Sequence, residues 1–192
     1  MEVEVIFAGS DAPVNPNQSV FLAGPSPKDG ALLQSWRRQL IERFKSTPHK
    51  RIDHLQLIVP EPETGHWRDV MSNDYTEKHQ TLWEHNCMLK SKVIAFWLPT
   101  FWTPKNAGSY PANIGPSSRF EFGFFLNNSI RNAEQKLVVG SPHKAESLQW
   151  AQVLCEQYGI TWHFSESDAK QADIPPSFYG AILKQLDERK QL

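Results

Sequence analysis

The sequence predicts a doubly wound α/β fold, a parallel five-stranded sheet flanked by helices. Two observations carry this expectation. Short apolar runs without alternation, such as LQLIVP, VIAFWLP and KLVVGSP, read as strands buried on both faces. Stretches with apolar residues at helical spacing lie between them, so strand and helix alternate along the chain. Right-handed crossovers then leave doubly wound sheets as the simplest arrangement.

The elements follow in order. The opening segment MEVEVIFAGSDAP has neither the basic start nor the long apolar stretch of a signal peptide. No run approaches the roughly 20 apolar residues of a membrane span, so a soluble, cytoplasmic protein is expected. The first strand is SVFLAG, closed by Gly24 and Pro25. Next, ALLQSWRRQLIERFK sets Leu32, Leu33, Trp36, Leu40, Ile41 and Phe44 on one helical stripe. Trp36 and Arg37 read there as a packing and a helix-end residue. LQLIVPEPE is the second strand, stopped by Pro60 and Pro62. From about Ser72, SNDYTEKHQTLWEHNCMLKSK keeps a helical period and runs straight into the third strand, VIAFWLP. The Pro-, Gly- and Asn-rich TFWTPKNAGSYPANIGP that follows has the length of a lid or binding loop. A helix RFEFGFFLNNSIRN, a strand KLVVGSP, a helix ESLQWAQVLCEQYG stopped by Gly159, a strand ITWHF and a last helix from about Pro176 complete the order. One domain spanning residues 1–192 is expected.

Composition and motifs remove several functions. Lys plus Arg number 20 against 21 Asp plus Glu, so no basic surface for a nucleic-acid polymer is implied. Cys87 and Cys155 form no CxxC and read as reduced packing residues. The seven histidines are scattered, which gives no metal-ligand pattern. After the first strand stands AGPSPKDG rather than a dinucleotide-binding glycine fingerprint, and no phosphate-binding GKS or GKT and no GxSxG elbow occurs.

In doubly wound sheets ligands sit outside the carboxyl ends of the strands. The loops GPSPKDG, PEPETGHW and TFWTPKNAGSYPANIGPSS all fall at that edge. With them come the carboxylates Glu61, Glu63, Asp74, Glu84 and Glu121 and the tryptophans Trp67 and Trp102, while Trp97 lies inside a strand and reads as core. The stretch SSRFEFGFF puts Glu121 among four phenylalanines, where an unpaired charge is costly. A carboxylate in a dry aromatic pocket suits glycosyl chemistry as nucleophile or acid/base. The competing reading is a pair with Arg119 or a charge at the positive end of a helix.

VFLAGPSP followed by SWR, then VPEPE with a nearby tryptophan, DY, LWEHNCMLKSKVIAFWLP and SRFEFG resemble, in this order, the nucleoside 2-deoxyribosyltransferase-like proteins over about residues 20–140. The resemblance implies a flavodoxin-like fold. It also implies transfer of a 2-deoxyribosyl group between nucleobases through a covalent glycosyl-enzyme, with no metal or organic cofactor. The family's nucleophilic glutamate matches Glu121, followed by Phe122 and by Gly123, expected to let the chain pass closely. The acid of the preceding helix, which binds the base or shuttles its proton, matches Glu84, with Asp74 and Tyr75 as a supporting pair in the same helix. Gly24 and Pro25 are expected to approach base or sugar through the backbone, and Trp102 to stack on the base.

Three departures shape the functional expectation. The family's acid shortly before the nucleophile, which holds the sugar hydroxyls, is missing from NIGPSSRFE, so Asn113, Ser117 or Ser118 is expected to bond the sugar instead. Phe21 stands where many members carry a tyrosine that orients the nucleophile. Arg119 is expected to favour ionised Glu121 and to meet a phosphate or ribose hydroxyl. The implied partners are a nucleoside or nucleotide, a free nucleobase and further copies of the chain, because family sites borrow residues from a neighbouring subunit. Three readings stand: a (deoxy)ribosyltransferase, an N-glycoside hydrolase in which water intercepts the glycosyl-enzyme, and a catalytically silent nucleotide-binding or sensing domain.

Overall fold

The computed structural model describes residues 1–47, 49–102, 112, 115–165 and 173–187. Its strands are β1 (Glu2–Phe7), β2 (Ser19–Ala23), β3 (His54–Val59), β4 (Val93–Trp97), β5 (Lys136–Pro142) and β6 (Trp162–Ser165). The helices are α1 (Trp36–Ser46), α2 (Glu77–Lys90), α3 (Pro116–Arg131), α4 (Gln149–Gln157) and α5 (Pro176–Asp187). All pairings are parallel, in the order β1-β3-β2-β4-β5-β6. This is the flavodoxin-like α/β arrangement with six strands rather than the five expected. The extra strand is EVEVIF, which runs along β3 in register from Glu2 opposite His54 to Phe7 opposite Val59. Its alternation is that of an edge strand: Glu2 and Glu4 stay at the surface while Val3, Val5 and Phe7 pack on the core.

The inner strands are buried on both sides, so neighbouring residues feed two cores. Val20, Leu22, Val93, Ala95 and Trp97 join Trp36, Leu40 and Phe44 of α1 and Phe178 and Ile182 of α5. Phe21, Ala23, Ile94 and Phe96 join Met88 of α2, Phe122 and Phe125 of α3 and Ala151 of α4. A large side chain buried this way contributes about 1.5–3 kcal/mol. The strand order reverses at β2, which has β3 on one side and β4 on the other, and the crevice lies between the carboxyl ends of β2 and β4. Gly24 closes β2 there with φ +134, and a Cβ on it would stand 2.0 Å from the Trp97 carbonyl oxygen. No larger residue fits that approach.

Two helix starts differ from the expected ones. The segment leading into α2 stays a turn as far as Thr76, whose N–H donates to His79 Nδ1, so Asp74 and Tyr75 precede the helix instead of lying in it. Helix α3 begins earlier than RFEFG. Gly115 takes the left-handed conformation and Pro116 occupies the first helical position, which draws Ser117 and Ser118 into the first turn.

Candidate active site

Glu121 lies in the second turn of α3 and faces the β2/β4 crevice, where a cavity of about 350 Å³ opens. Gly24 and Pro25 of the β2–α1 loop, Phe21 of β2 and Ser117 and Ser118 of α3 line it. Glu84 of α2 reaches the same cavity. Burial pushes the Glu121 carboxyl up to about 7, the charge of Glu84 adds to that, and the Arg37 guanidinium opposes it. Burial likewise raises Glu84, opposed by a hydrogen bond from Gln80 and by Arg37. The Glu84 charge raises Glu121, so the two carboxyls titrate as a coupled pair.

Glu84 is held by a short relay. Tyr75 Oη donates to Gln80 Oε1 at 2.6 Å, and Gln80 Nε2 donates to Glu84 Oε1 at 2.6 Å. Since Oε1 already accepts an N–H, a proton on Glu84 belongs on Oε2. Gln80 and Glu84 are four apart on α2, the spacing that brings two helical side chains together.

The cation that serves both carboxylates is Arg37, fully buried as the second residue of α1. Its Nε donates to Leu22 O at 2.7 Å, one terminal nitrogen to Gly24 O, and the other to Ser26 Oγ at 3.1 Å and to Glu61 Oε1. Ser35, the N-cap of α1, accepts from the Arg37 N–H and donates to Glu61 Oε1 at 3.0 Å. A buried Arg37–Glu61 pair thus ties the end of β2, the loop after it and the loop after β3 into one rigid corner. Arg37 stands at the start of α1, a helix end as expected, but its side chain turns inward along the β2–α1 loop.

The family model described as nucleoside 2-deoxyribosyltransferase like matches residues 17–145. The chain belongs to that family. A search of curated proteins finds no match. Within this nucleoside 2-deoxyribosyltransferase-like protein, the family match spans β2 through the start of the loop after β5 and so includes both carboxylates, Arg37 and Glu61.

Several expected site residues stand elsewhere. Arg119 points away from the cavity: its terminal nitrogen donates to Ser147 O at 2.8 Å and its guanidinium lies 5.1 Å from the Trp150 ring centre. Burial dominates the state of Glu121, and the cation that opposes its rise is Arg37 rather than Arg119. Asp74 is exposed in the turn before α2 and outside the cavity, while Tyr75, also outside it, is hydrogen-bonded to Gln80. Trp102 is exposed, its N–H held by Glu146 Oε2 at 2.6 Å, and the tryptophan at the cavity is Trp67. A Cβ on Gly123 would meet nothing within 4 Å, so no close chain passage explains that glycine. Phe21 offers the cavity a ring and no hydroxyl. Asn113 lies outside the described residues. Among the described residues no three His, Cys, Asp or Glu side chains gather to hold a metal, and no helix is long and apolar enough to cross a membrane.

Arg37, Gln80 and Glu61 are the residues that sequence reasoning undervalued. Gln80 was legible as a partner four positions before Glu84. Arg37 and Glu61 become a pair only when α1 and β3 pack side by side.

Proposed function

We propose that this protein breaks and remakes the N-glycosidic bond of nucleosides or nucleotides, moving a (deoxy)ribosyl group from one nucleobase to another. The observation that carries the reading is the pair of raised carboxylates, Glu121 and Glu84, in one cavity with a single buried guanidinium. Ionised Glu121 attacks the anomeric carbon, C1′. The C1′–N bond breaks, its electron pair stays on the base nitrogen, and that nitrogen takes the Glu84 proton. An acceptor base then gives its proton to Glu84 and attacks C1′, and the Glu121 oxygen leaves as carboxylate. Over the full cycle the proton that Glu84 gives is returned by the acceptor base, so the site consumes no net proton. Trp67 and Phe21 supply apolar walls for base and sugar.

A neighbouring observation supports a homo-oligomer. Leu82 and Leu89 of α2 and Phe120 and Phe124 of α3 are exposed. A groove of about 440 Å³ lined by Leu82, His85, Met88 and Phe120 runs to Glu121. A second copy covering this face would dry the site and close it.

The test is chromatography of products after incubating the purified protein with deoxynucleosides, ribonucleosides and their monophosphates, each with and without a second free base. A new nucleoside that requires the second base establishes transfer. Free sugar and base formed without an acceptor replace that reading with hydrolysis, in which water attacks the glycosyl-enzyme. If nothing is consumed, and Glu121→Gln behaves as the native chain does, the catalytic reading fails and a silent binding domain takes its place.

A further inference from the structure

Tyr75 stands outside the cavity, yet its hydroxyl is joined through Gln80 to the cavity carboxylate Glu84. The turn before α2 holds it there. The Tyr75 N–H donates to Ser72 Oγ at 3.0 Å, and the Ser72 N–H returns a bond to Tyr75 O at 3.0 Å. The loop after β1 reaches the same place: Trp83 Nε1 of α2 donates to Ser10 O at 2.9 Å, and the Gly9 backbone bonds the phenol. Burial raises the phenol above its ordinary value of 10, against the opposing pull of that Gly9 bond. Tyr75 therefore keeps its proton through the neutral range and needs an acceptor for it. That acceptor is Gln80 Oε1, 2.6 Å away.

This bond decides which way round the buried Gln80 amide lies. An amide has an acceptor at one end and a donor at the other, and its neighbours settle the choice. With the Tyr75 hydroxyl on Oε1, Nε2 is left to donate to Glu84 Oε1 at 2.6 Å. Turned over, the amide would set Nε2 against the phenol, which would lose the acceptor it has, and Oε1 against Glu84 Oε1. A Glu84 proton would then be drawn between two oxygens and held by Gln80, instead of staying on the other oxygen for a base. The spacing of Gln80 and Glu84 on α2 permits both arrangements; the phenol chooses one. The charged and titratable groups acting on this network are Glu121 of α3 and Arg37 of α1 beside Glu84, and Asp11 of the loop after β1 and Cys87 of α2 beside Tyr75, on whose ring His79 stacks.

We infer that Tyr75 is a positioning residue: by holding the Gln80 amide oxygen it makes Gln80 a donor to Glu84, and so keeps the Glu84 proton on the oxygen that serves the leaving base. This rests on the proposed glycosyl chemistry for the proton's destination, but the orientation is measurable without turnover.

The full chain, labelled with carbon-13 at its glutamate carboxyls, is titrated by NMR, the Glu84 signal being assigned by its loss in Glu84→Gln. Tyr75→Phe removes the hydroxyl and keeps the ring. The Glu84 midpoint is expected to rise in that variant, because an amide free to turn over no longer always donates to the carboxylate. In a Gln80→Leu background, Tyr75→Phe is expected to leave the midpoint where Gln80→Leu alone puts it. An unmoved midpoint in Tyr75→Phe overturns the inference, and so does an equal rise with and without Gln80. If Gln80→Leu does not fold, the Tyr75→Phe midpoint against the native one decides alone. In turnover, kcat of Tyr75→Phe is expected to fall about tenfold for bases that depart only when protonated, and to stay near native for a nucleoside whose base leaves as a stable anion. Equal losses on both substrates overturn the role in placing the proton. A native chain that consumes no nucleoside, with a Glu84 midpoint that follows Tyr75, removes the glycosyl chemistry and leaves the positioning. Turnover with a midpoint indifferent to Tyr75 removes the positioning alone.

Discussion

Replacing Arg37 with methionine tests the corner on which the site is built. Arg37→Met keeps most of the side-chain length and removes the charge, which leaves Glu61 fully buried with only Ser35 Oγ on one of its oxygens. Breaking a buried ion pair from one side costs about 3–5 kcal/mol, because the remaining charge has no compensation. At 2–4 °C per kcal/mol for a chain of this size, Tm is expected to fall by about 6–20 °C. The double variant Arg37→Met with Glu61→Met removes that charge too. It is expected to regain about half of the loss, the remainder being the unmet carbonyls of Leu22 and Gly24 at about 1 kcal/mol each. Urea and thermal unfolding of the native, two single and double variants form a double-mutant cycle that isolates the coupling. A double variant no more stable than Arg37→Met refutes the reasoning, since the cost would then lie in the arginine's hydrogen bonds and packing rather than in the abandoned carboxylate.

Glu121→Gln is expected to stabilise the protein in a pH-dependent way. Folding moves the Glu121 carboxyl from its ordinary value of 4.5 up to about 7, so between those values the folded state holds a proton the unfolded chain has released, and stability falls as pH rises. The displacement is worth about 3 kcal/mol, present as a penalty above pH 7 and absent below pH 4.5. Thermal unfolding at pH 8 and pH 4.5 should show the gain at the higher pH only; equal gains at both would sink this account. Gln80→Ala removes the hydrogen bond that holds Glu84 Oε1 and opposes its upward shift. A fall in kcat of about five- to tenfold is expected, with an upward move of the Glu84 limb in the pH–rate profile; an unchanged profile would leave Gln80 a packing residue. Phe120 is 75 % exposed beside the apolar groove, so Phe120→Glu should shift the native oligomer to monomers in analytical ultracentrifugation, and a native chain that already sediments as a monomer overturns that face as an interface.

The α/β order was legible in the residues because a strand buried on both faces must be apolar throughout and an amphipathic helix must repeat at its own period, and both are local requirements. Glu121 stood out for the same kind of reason, as a charge among phenylalanines that local structure does not explain. Glu84 was carried by family likeness rather than by spacing. What the chain's order could not reveal is which residues meet across the sheet. The edge strand EVEVIF was readable only as a partner for β3, fifty residues away. The direction of Arg119 was open, since the turn of a helix can aim a side chain at Glu121 or at Ser147, and packing chose Ser147. In sequence Arg37 read as a helix-end residue and Glu61 as one of several strand-end carboxylates, with nothing to join them. They became a buried pair because strand order reverses at β2, which sets the start of α1 beside the end of β3 and leaves one guanidinium to serve the buried carboxylates.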